Sequence, residues 1–422
     1  MTMLRGLSSK TGSHLVAGFM LERSSLQRSR KQYDLDLREM GVNSVTFVII
    51  TKDRPELMKH LIESILKTRL ASLSIVLIDD SNNDNFSKNR RLLQSLRVPY
   101  RQSSTSQAGR LVEENLKKTS LATDEKNFIR ECTGLSSPFC GYIERFLEQG
   151  RSEQGLGRCL QFAPYSPARN LGICSAVRFF SPDILVFLDD DCLILYPEKL
   201  RDQLQLVGSE LSQKTIVAVA GLYKDLFGRL LCEAGSSKKI LSILRGMDKF
   251  IKESFLVEKA RFKIAPPHML GGALILHKRA FSTIPFDPYV ARGEDHSYAL
   301  DLKRFLAEDE LAVRDTHFVI GHQEGHLRSA CAQKCPELNV LRDIFRFVYM
   351  RTKTGHSFIK VFLVRWALIS LFSLLLNPSN YEQHKGELLA LLFTAPKYAK
   401  ENGSKFRRGI KAWNKFLCKA EM

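Results

Sequence analysis

The chain has 422 residues, 44% of them hydrophobic and 26% charged, and 63 Lys and Arg outnumber 45 Asp and Glu to give a formal net charge of +18. That length and composition exclude a disordered chain and a disulfide-stapled miniprotein, and they allow one large core with a smaller appendage. The charge favours anionic partners and does not choose among nucleic acid, anionic lipid and nucleotide. Nine cysteines, an odd number with no repeated spacing, argue against a disulfide framework and for a reducing compartment. His14 to Leu21 is too short and too mixed for a secretory signal, so a cytoplasmic protein is expected.

Residues 1–43, rich in Ser, Lys and Arg, read as an N-terminal arm. Val45 to Ile50 is the first clear strand, ended by Thr51-Lys52-Asp53-Arg54-Pro55, after which Leu57, Leu61 and Ile65 keep helical spacing. Ser74 to Ile78 is a second strand, capped by Asp79-Asp80-Ser81-Asn82-Asn83-Asp84. Strand, helix, strand implies a parallel unit with a right-handed crossover, which delivers Thr51 to Arg54 and Asp79 with Asp80 to one edge. From about Tyr100 to Pro164 the pattern weakens into an insertion, with Ser103 to Ser106 reading as a loop. Ala168-Arg169-Asn170-Leu171-Gly172, continuing to Phe180, reads as a helix.

Ile184 to Leu188 is an unbroken apolar run of strand length, and Asp189-Asp190-Asp191 follow it. In open α/β sheets ligands bind outside the carboxyl ends of the strands, where these three acids arrive. Asp189 and Asp191 fall on one side of an extended chain and offer hard oxygen donors suited to Mg2+ or Mn2+ carrying a phosphorylated substrate. Further strands are expected at Thr215 to Gly221, at His268 to Leu276 with the paired Gly271-Gly272, and at Ala312 to Ile320 ahead of His322. Gly293-Glu294-Asp295-His296 leads into a helix, where the acids would either cap it or act as a general base.

Taken in order, Thr51-Lys52-Asp53-Arg54-Pro55, Ile78-Asp79-Asp80-Ser81, Ala168-Arg169-Asn170-Leu171-Gly172, Phe187-Leu188-Asp189-Asp190-Asp191, Gly271-Gly272-Ala273 and Gly293-Glu294-Asp295 resemble the motifs of family 2 glycosyltransferases with the GT-A fold. The resemblance covers roughly Val45 to His326. It implies an α/β fold with a mostly parallel, Rossmann-like sheet flanked by helices, and transfer of one sugar from a UDP- or GDP-sugar with inversion. It implies that Thr51, Arg54, Asp79, Asp80, Arg169, Asp190, Gly271 and Gly272 line the nucleotide-sugar site. Asp189 and Asp191 would be its metal-binding acid pair, joined by a late histidine, here His322, and Asp295 beside Glu294 its catalytic base. The residues after the second strand, Asn82 and Asn83, and the long insertion depart from the family pattern. The Q-x-x-R-W signature of processive synthases is missing, which favours single-sugar transfer.

The domain plan is an arm over 1–43, a GT-A domain over 44–330 with an insertion over 100–165, and a helical, basic extension over 331–422. Trp366 to Leu376 is too short to span a bilayer, so the extension is either a buried helix pair or a peripheral contact with the inner face of the membrane, and the acceptor a glycan or a lipid-linked one. His322, His326, Cys331 and Cys335 also form a cramped zinc-ligand run. A nucleotidyltransferase would need a phosphate loop of the G-x-x-x-x-G-K type, which is absent from the sequence. The basic residues are not interleaved with aromatics, which disfavours nucleic acid as a partner.

Overall fold

The computed structural model describes residues 44–136, 165–224, 261–266, 269–290, 293–323, 349–350, 353 and 385–420. The arm, residues 137–164 of the expected insertion, the segment 358–376 and His326, Cys331 and Cys335 lie outside the described residues. In chain order the first elements are β1 (Val45–Thr51), α1 (Pro55–Leu66), β2 (Leu73–Asp79), α2 (Asn83–Gln94), β3 (Tyr100–Ser103), α3 (Thr105–Lys118) and α4 (Thr123–Cys132). They are followed by α5 (Tyr165–Phe180), β4 (Ile184–Asp189), β5 (Cys192–Ile194), α6 (Pro197–Leu206), β6 (Glu210–Leu211) and β7 (Lys214–Lys224). The last are β8 (Phe262–Ile264), β9 (Leu274–His277), α7 (Lys278–Thr283), α8 (Glu294–Phe305), β10 (Glu310–His322) and α9 (Lys385–Ala420).

One mixed sheet runs β3-β2-β1-β4-β9-β7-β10-β5, with β6 against β7 and β8 against β10. Its first four strands are parallel, as are β7 and β10, whereas β9 runs antiparallel to both β4 and β7. Reversing direction twice across β9 leaves β7 and β10 pointing the same way as β1 and β4. The carboxyl ends of β1, β2, β3, β4, β7 and β10 and the amino end of β9 therefore meet at one edge, where a ligand site belongs. The apolar runs that mark β2 and β4 are buried because helices cover both faces of the sheet. Gly172 lets α5 lie directly on β1: a Cβ there would stand 2.3 Å from Val48 Cγ1.

Ser103 to Ser106, expected as a loop, instead end β3 and open α3. Ser104 caps the helix: its hydroxyl accepts from Gln107 N and the Gln107 side chain accepts from Ser104 N, so a run of small polar residues marks a helix start here. The basic helix α9 belongs to the main core. Trp413, Phe406 and Phe416 are buried with Phe128 and Phe281, and the Trp413 indole N–H donates to the Phe281 carbonyl at 2.9 Å.

Below α8 a second contact ties the carboxyl-terminal region in. Lys353 Nζ, 5% exposed as a residue, donates to Asp287 Oδ2 at 2.5 Å and to Asp301 Oδ2 at 2.7 Å. Burial pushes the Asp301 carboxyl up from its ordinary 3.8 to about 6, against the attraction of Lys353. A carboxyl whose pKa is higher folded than unfolded holds its proton more tightly in the fold. Its contribution to stability is present at low pH and lost as pH rises from about 4 to about 6. The stability of the wild-type chain in urea, taken relative to Asp301→Asn, should fall across that window by an amount on the order of 3 kcal/mol. A difference that stays flat with pH would show that Asp301 titrates as an exposed carboxyl.

Candidate functional site

In-register parallel pairing gathers the site. Thr51 lies opposite Asp79, and Ile50 opposite Asp189, so three strands deliver their polar ends together. After β4 the chain turns through Asp190 and Asp191 into β5, whose Cys192 pairs with His322 at the end of β10. That short antiparallel pairing sets the His322 ring beside the acids, its Nε2 3.4 Å from Asp191 Oδ1. His322 Nδ1 is buried and has no hydrogen-bond partner among the described residues.

The three acids divide their work. One oxygen each from Asp189 and Asp191 and the Cys192 sulfur lie within 4.8 Å of one another. Asp190 turns away from them, accepting from Thr51 Oγ1 at 2.8 Å and Arg54 Nη1 at 3.1 Å. Arg54 also reaches Asp191 Oδ2 at 3.2 Å. Burial raises the Asp190 carboxyl to about 6, with Arg54 and Thr51 opposing it.

Arg169, 2% exposed, is the centre of the cluster. Its Nη2 donates to Asp189 Oδ1 at 3.0 Å, its Nε to Glu294 Oε1 at 3.1 Å and its Nη1 to the Gly271 carbonyl at 2.9 Å. Burial works against its charge, but Asp189 and Glu294 outweigh burial and raise its pKa above the ordinary arginine value. One guanidinium thereby joins the last residue of β4 to the first residue of α8. The two glycines before β9 make room for this. A Cβ on Gly271 would fall 2.4 Å from Arg169 Nη2, and one on Gly272 2.3 Å from Tyr223 Oη and 2.6 Å from Asp189 Oδ2.

The amino end of α8 presents two acids with different surroundings. Glu294 is buried against Arg169, and burial followed by the neighbouring Asp295 charge raises its pKa. Asp295 is half-buried; its Oδ2 accepts from Gly271 N at 3.2 Å and its Oδ1 from His296 N at 2.7 Å. The helix starts sharply because Gly293 adopts φ 73°, the left-handed region that glycine tolerates.

Asp79 and Asp80 sit on the same edge with their carboxylates engaged inside the protein. Asp79 is fully buried and accepts from Asn89 Nδ2, Gln102 Nε2 and Ser81 N at 2.8–3.0 Å. Asp80 Oδ1 accepts from the Thr105 N–H and hydroxyl, both at 2.9 Å, which ties β2 to the start of α3. The loop after β1 is held to the loop after β2 by Asp53, whose Oδ1 accepts from Asn82 N at 2.8 Å. His317 is exposed within β10 and away from its end.

Two residues of the cluster were not anticipated from sequence. The Tyr223 hydroxyl donates to Asp189 Oδ2 at 3.3 Å, and its ring lies 5.1 Å from that of His322. Its position at the carboxyl end of β7, the same strand-end rule that marks Asp189, is the signal that could have found it. Cys192 is the other. Burial, with Asp189 and Asp191, pushes its thiol well above the ordinary range, and its sulfur lies 3.5 Å from the Gly272 carbonyl oxygen as a donor. A protonated thiol is a poor ligand for a hard cation, so the oxygens of Asp189 and Asp191 with the His322 imidazole are the better donor set for Mn2+ or Mg2+.

No family model and no curated protein matches the chain. Among solved structures it is similar to a mycobacterial protein, at 15% identity over 76% of this chain and 78% of that one with a TM-score of 0.41. It is also similar to glucosyl-3-phosphoglycerate synthase from Mycobacterium tuberculosis in complex with Mn2+, UDP and phosphoglyceric acid, at 13% identity over 75% and 81% of the two chains with a TM-score of 0.39. Staphylococcal (S. aureus) TarS gives 12% identity over 87% and 55%, with a TM-score of 0.40. Identities and TM-scores this low leave the chemistry to the residues of the site itself.

Proposed function

We propose that this protein is a metal-dependent glycosyltransferase that moves a single sugar from a UDP- or GDP-sugar to an acceptor hydroxyl with inversion, in the synthesis of a glycan, glycolipid or cell-envelope polysaccharide. The observation that carries the reading is the convergence of Asp189, Asp191 and His322 with Arg169 and Asp295 at the carboxyl edge of the sheet. The motif order seen in the sequence, similar to that of family 2 enzymes, supports the same reading.

Asp189, Asp191 and His322 would hold the divalent ion. When bound, it would supply positive charge to the diphosphate as that group leaves. Arg54, with a side chain 35% exposed and anchored on Asp190 and Asp191, can turn part of its fork toward a phosphate. Thr51, Asp79 and Asp80 shape the floor beneath the nucleotide, and Gly271 and Gly272 leave room for the Arg169, Tyr223 and Asp189 side chains that line the donor site. Asp295 is the general base: it is ionisable, half-buried and fixed by two backbone N–H groups, so it can take the proton of an acceptor hydroxyl. Glu294, buried on Arg169, positions that turn of α8.

A thermal-shift panel of UDP, GDP, their sugars and UTP, each with Mn2+ and with EDTA, tests the reading. A nucleotide diphosphate present at a hundredfold excess over its Kd should stabilise the fold by about 2.7 kcal/mol, and only with the metal. Stabilisation by UTP alone would favour nucleotidyl transfer. No shift with any ligand would remove the donor site.

A further inference from the structure

We infer that the outward face of α9 is a docking surface for an anionic lipid bilayer. The helix is amphipathic from Lys397 to Lys419. Its inner face, with Phe406, Ile410, Trp413, Phe416 and Leu417, is buried in the main core. Its outer face exposes Lys397, Lys400, Arg407, Arg408, Lys411, Lys415 and Lys419. Across Lys397 to Lys419 the sequence contains one acid, Glu401, which is exposed on the same face.

The distribution of these cations is what selects the partner. Lys415 is bound to Glu125 Oε1 at 2.9 Å and Lys419 to Ser120 Oγ at 2.7 Å, so the carboxyl end of the stripe is partly spent on holding the helix down. Lys405, on the flank, is likewise spent on Glu131. Lys397, Lys400, Arg408 and Lys411 span about 21 Å of helix at 1.5 Å per residue. A cationic ridge on a helix whose opposite face is fixed in the core complements a flat anionic surface, where each Lys or Arg adds to the attraction. A surface for single-stranded nucleic acid would be expected to set aromatic side chains among the cations, and here Tyr398, Phe406, Trp413 and Phe416 are all buried while the exposed amide of Asn414 donates to the Ser282 carbonyl. Because the aromatic side of α9 is committed to the core, the contact is electrostatic and peripheral, with no insertion of the helix. It stands apart from the donor-site reading, and either can fail alone.

The test is flotation of the full chain with vesicles of phosphatidylcholine, with and without about one-third phosphatidylglycerol, at low and at high salt. The chain should float with the anionic vesicles only and be released by salt. The triple variant Lys400→Gln, Arg408→Gln, Lys411→Gln should bind about tenfold or more weakly. A control variant with the same charge removed elsewhere, Lys59→Gln, Lys67→Gln, Arg90→Gln, should float like wild type. Glu401→Lys should strengthen binding, which keeps the inference testable if the triple variant folds poorly. Equal loss in the α9 and control variants would reduce the effect to net charge and overturn the assignment. So would failure to float, or binding of an oligonucleotide in place of the vesicles.

Discussion

Asn at Asp189 or Asp191 should lower sugar transfer by roughly 10³-fold and remove metal-dependent nucleotide binding, while the fold persists. Each carboxylate contributes an oxygen to the cluster, and an amide keeps the shape while losing the charge a divalent ion requires. Asp295→Asn is the informative partner experiment. Its side chain contacts backbone N–H groups and lies outside the metal donor set, so this variant should bind nucleotide with Mn2+ as wild type does and still turn over slowly. Isothermal titration with Mn2+ and UDP or GDP, run beside a transfer assay, separates the two losses. Full activity in the Asp189→Asn, Asp191→Asn double variant would end the metal mechanism. Unimpaired turnover in Asp295→Asn would move the base elsewhere.

Replacing Arg169 by Met should be the most damaging single change to stability. The guanidinium is the shared partner of Asp189, Glu294 and the Gly271 carbonyl, and its side chain is 3% exposed. Removing it leaves the buried Glu294 carboxylate without its cation, and breaking a buried pair in this way costs about 3–5 kcal/mol. Arg169→Lys keeps the charge but cannot satisfy three acceptors set in different directions, so it should be intermediate in stability. Because Arg169 holds Asp189, both variants should also weaken Mn2+ binding. Chemical denaturation in parallel with Mn2+ titration reads the two effects. Wild-type stability in Arg169→Met would mean that Glu294 is protonated and needs no partner.

Much of the scaffold was legible in the chain because its signals are local. Apolar runs ending abruptly in polar residues mark β1, β2 and β4, and parallel connection through helices forces their ends to one edge. Asp189, Asp191, Arg54 and Asp295 could be placed at one edge because each ends a strand, follows one or opens a helix whose bounds the apolar pattern marks. The start of α3 was harder to see. Its signal is a reciprocal hydrogen bond between Ser104 and Gln107, and Ser-rich sequence reads as loop until that bond is known.

What the sequence by itself determined is therefore the class of the fold, the acids and their edge. The tertiary structure decided which of them face one another. Arg169, read as a neighbour of the diphosphate, is a buried link between Asp189 and Glu294, because α5 packs across β1 and β2 and brings residues 125 positions apart into contact. Asp79 is closed off by Asn89 and Gln102, partners set by helix and strand packing that no spacing in the sequence encodes. Tyr223 and His322 reach the acids only because β9 reverses direction between β4 and β7, and such long-range pairing is fixed by the folded sheet rather than by any stretch of residues.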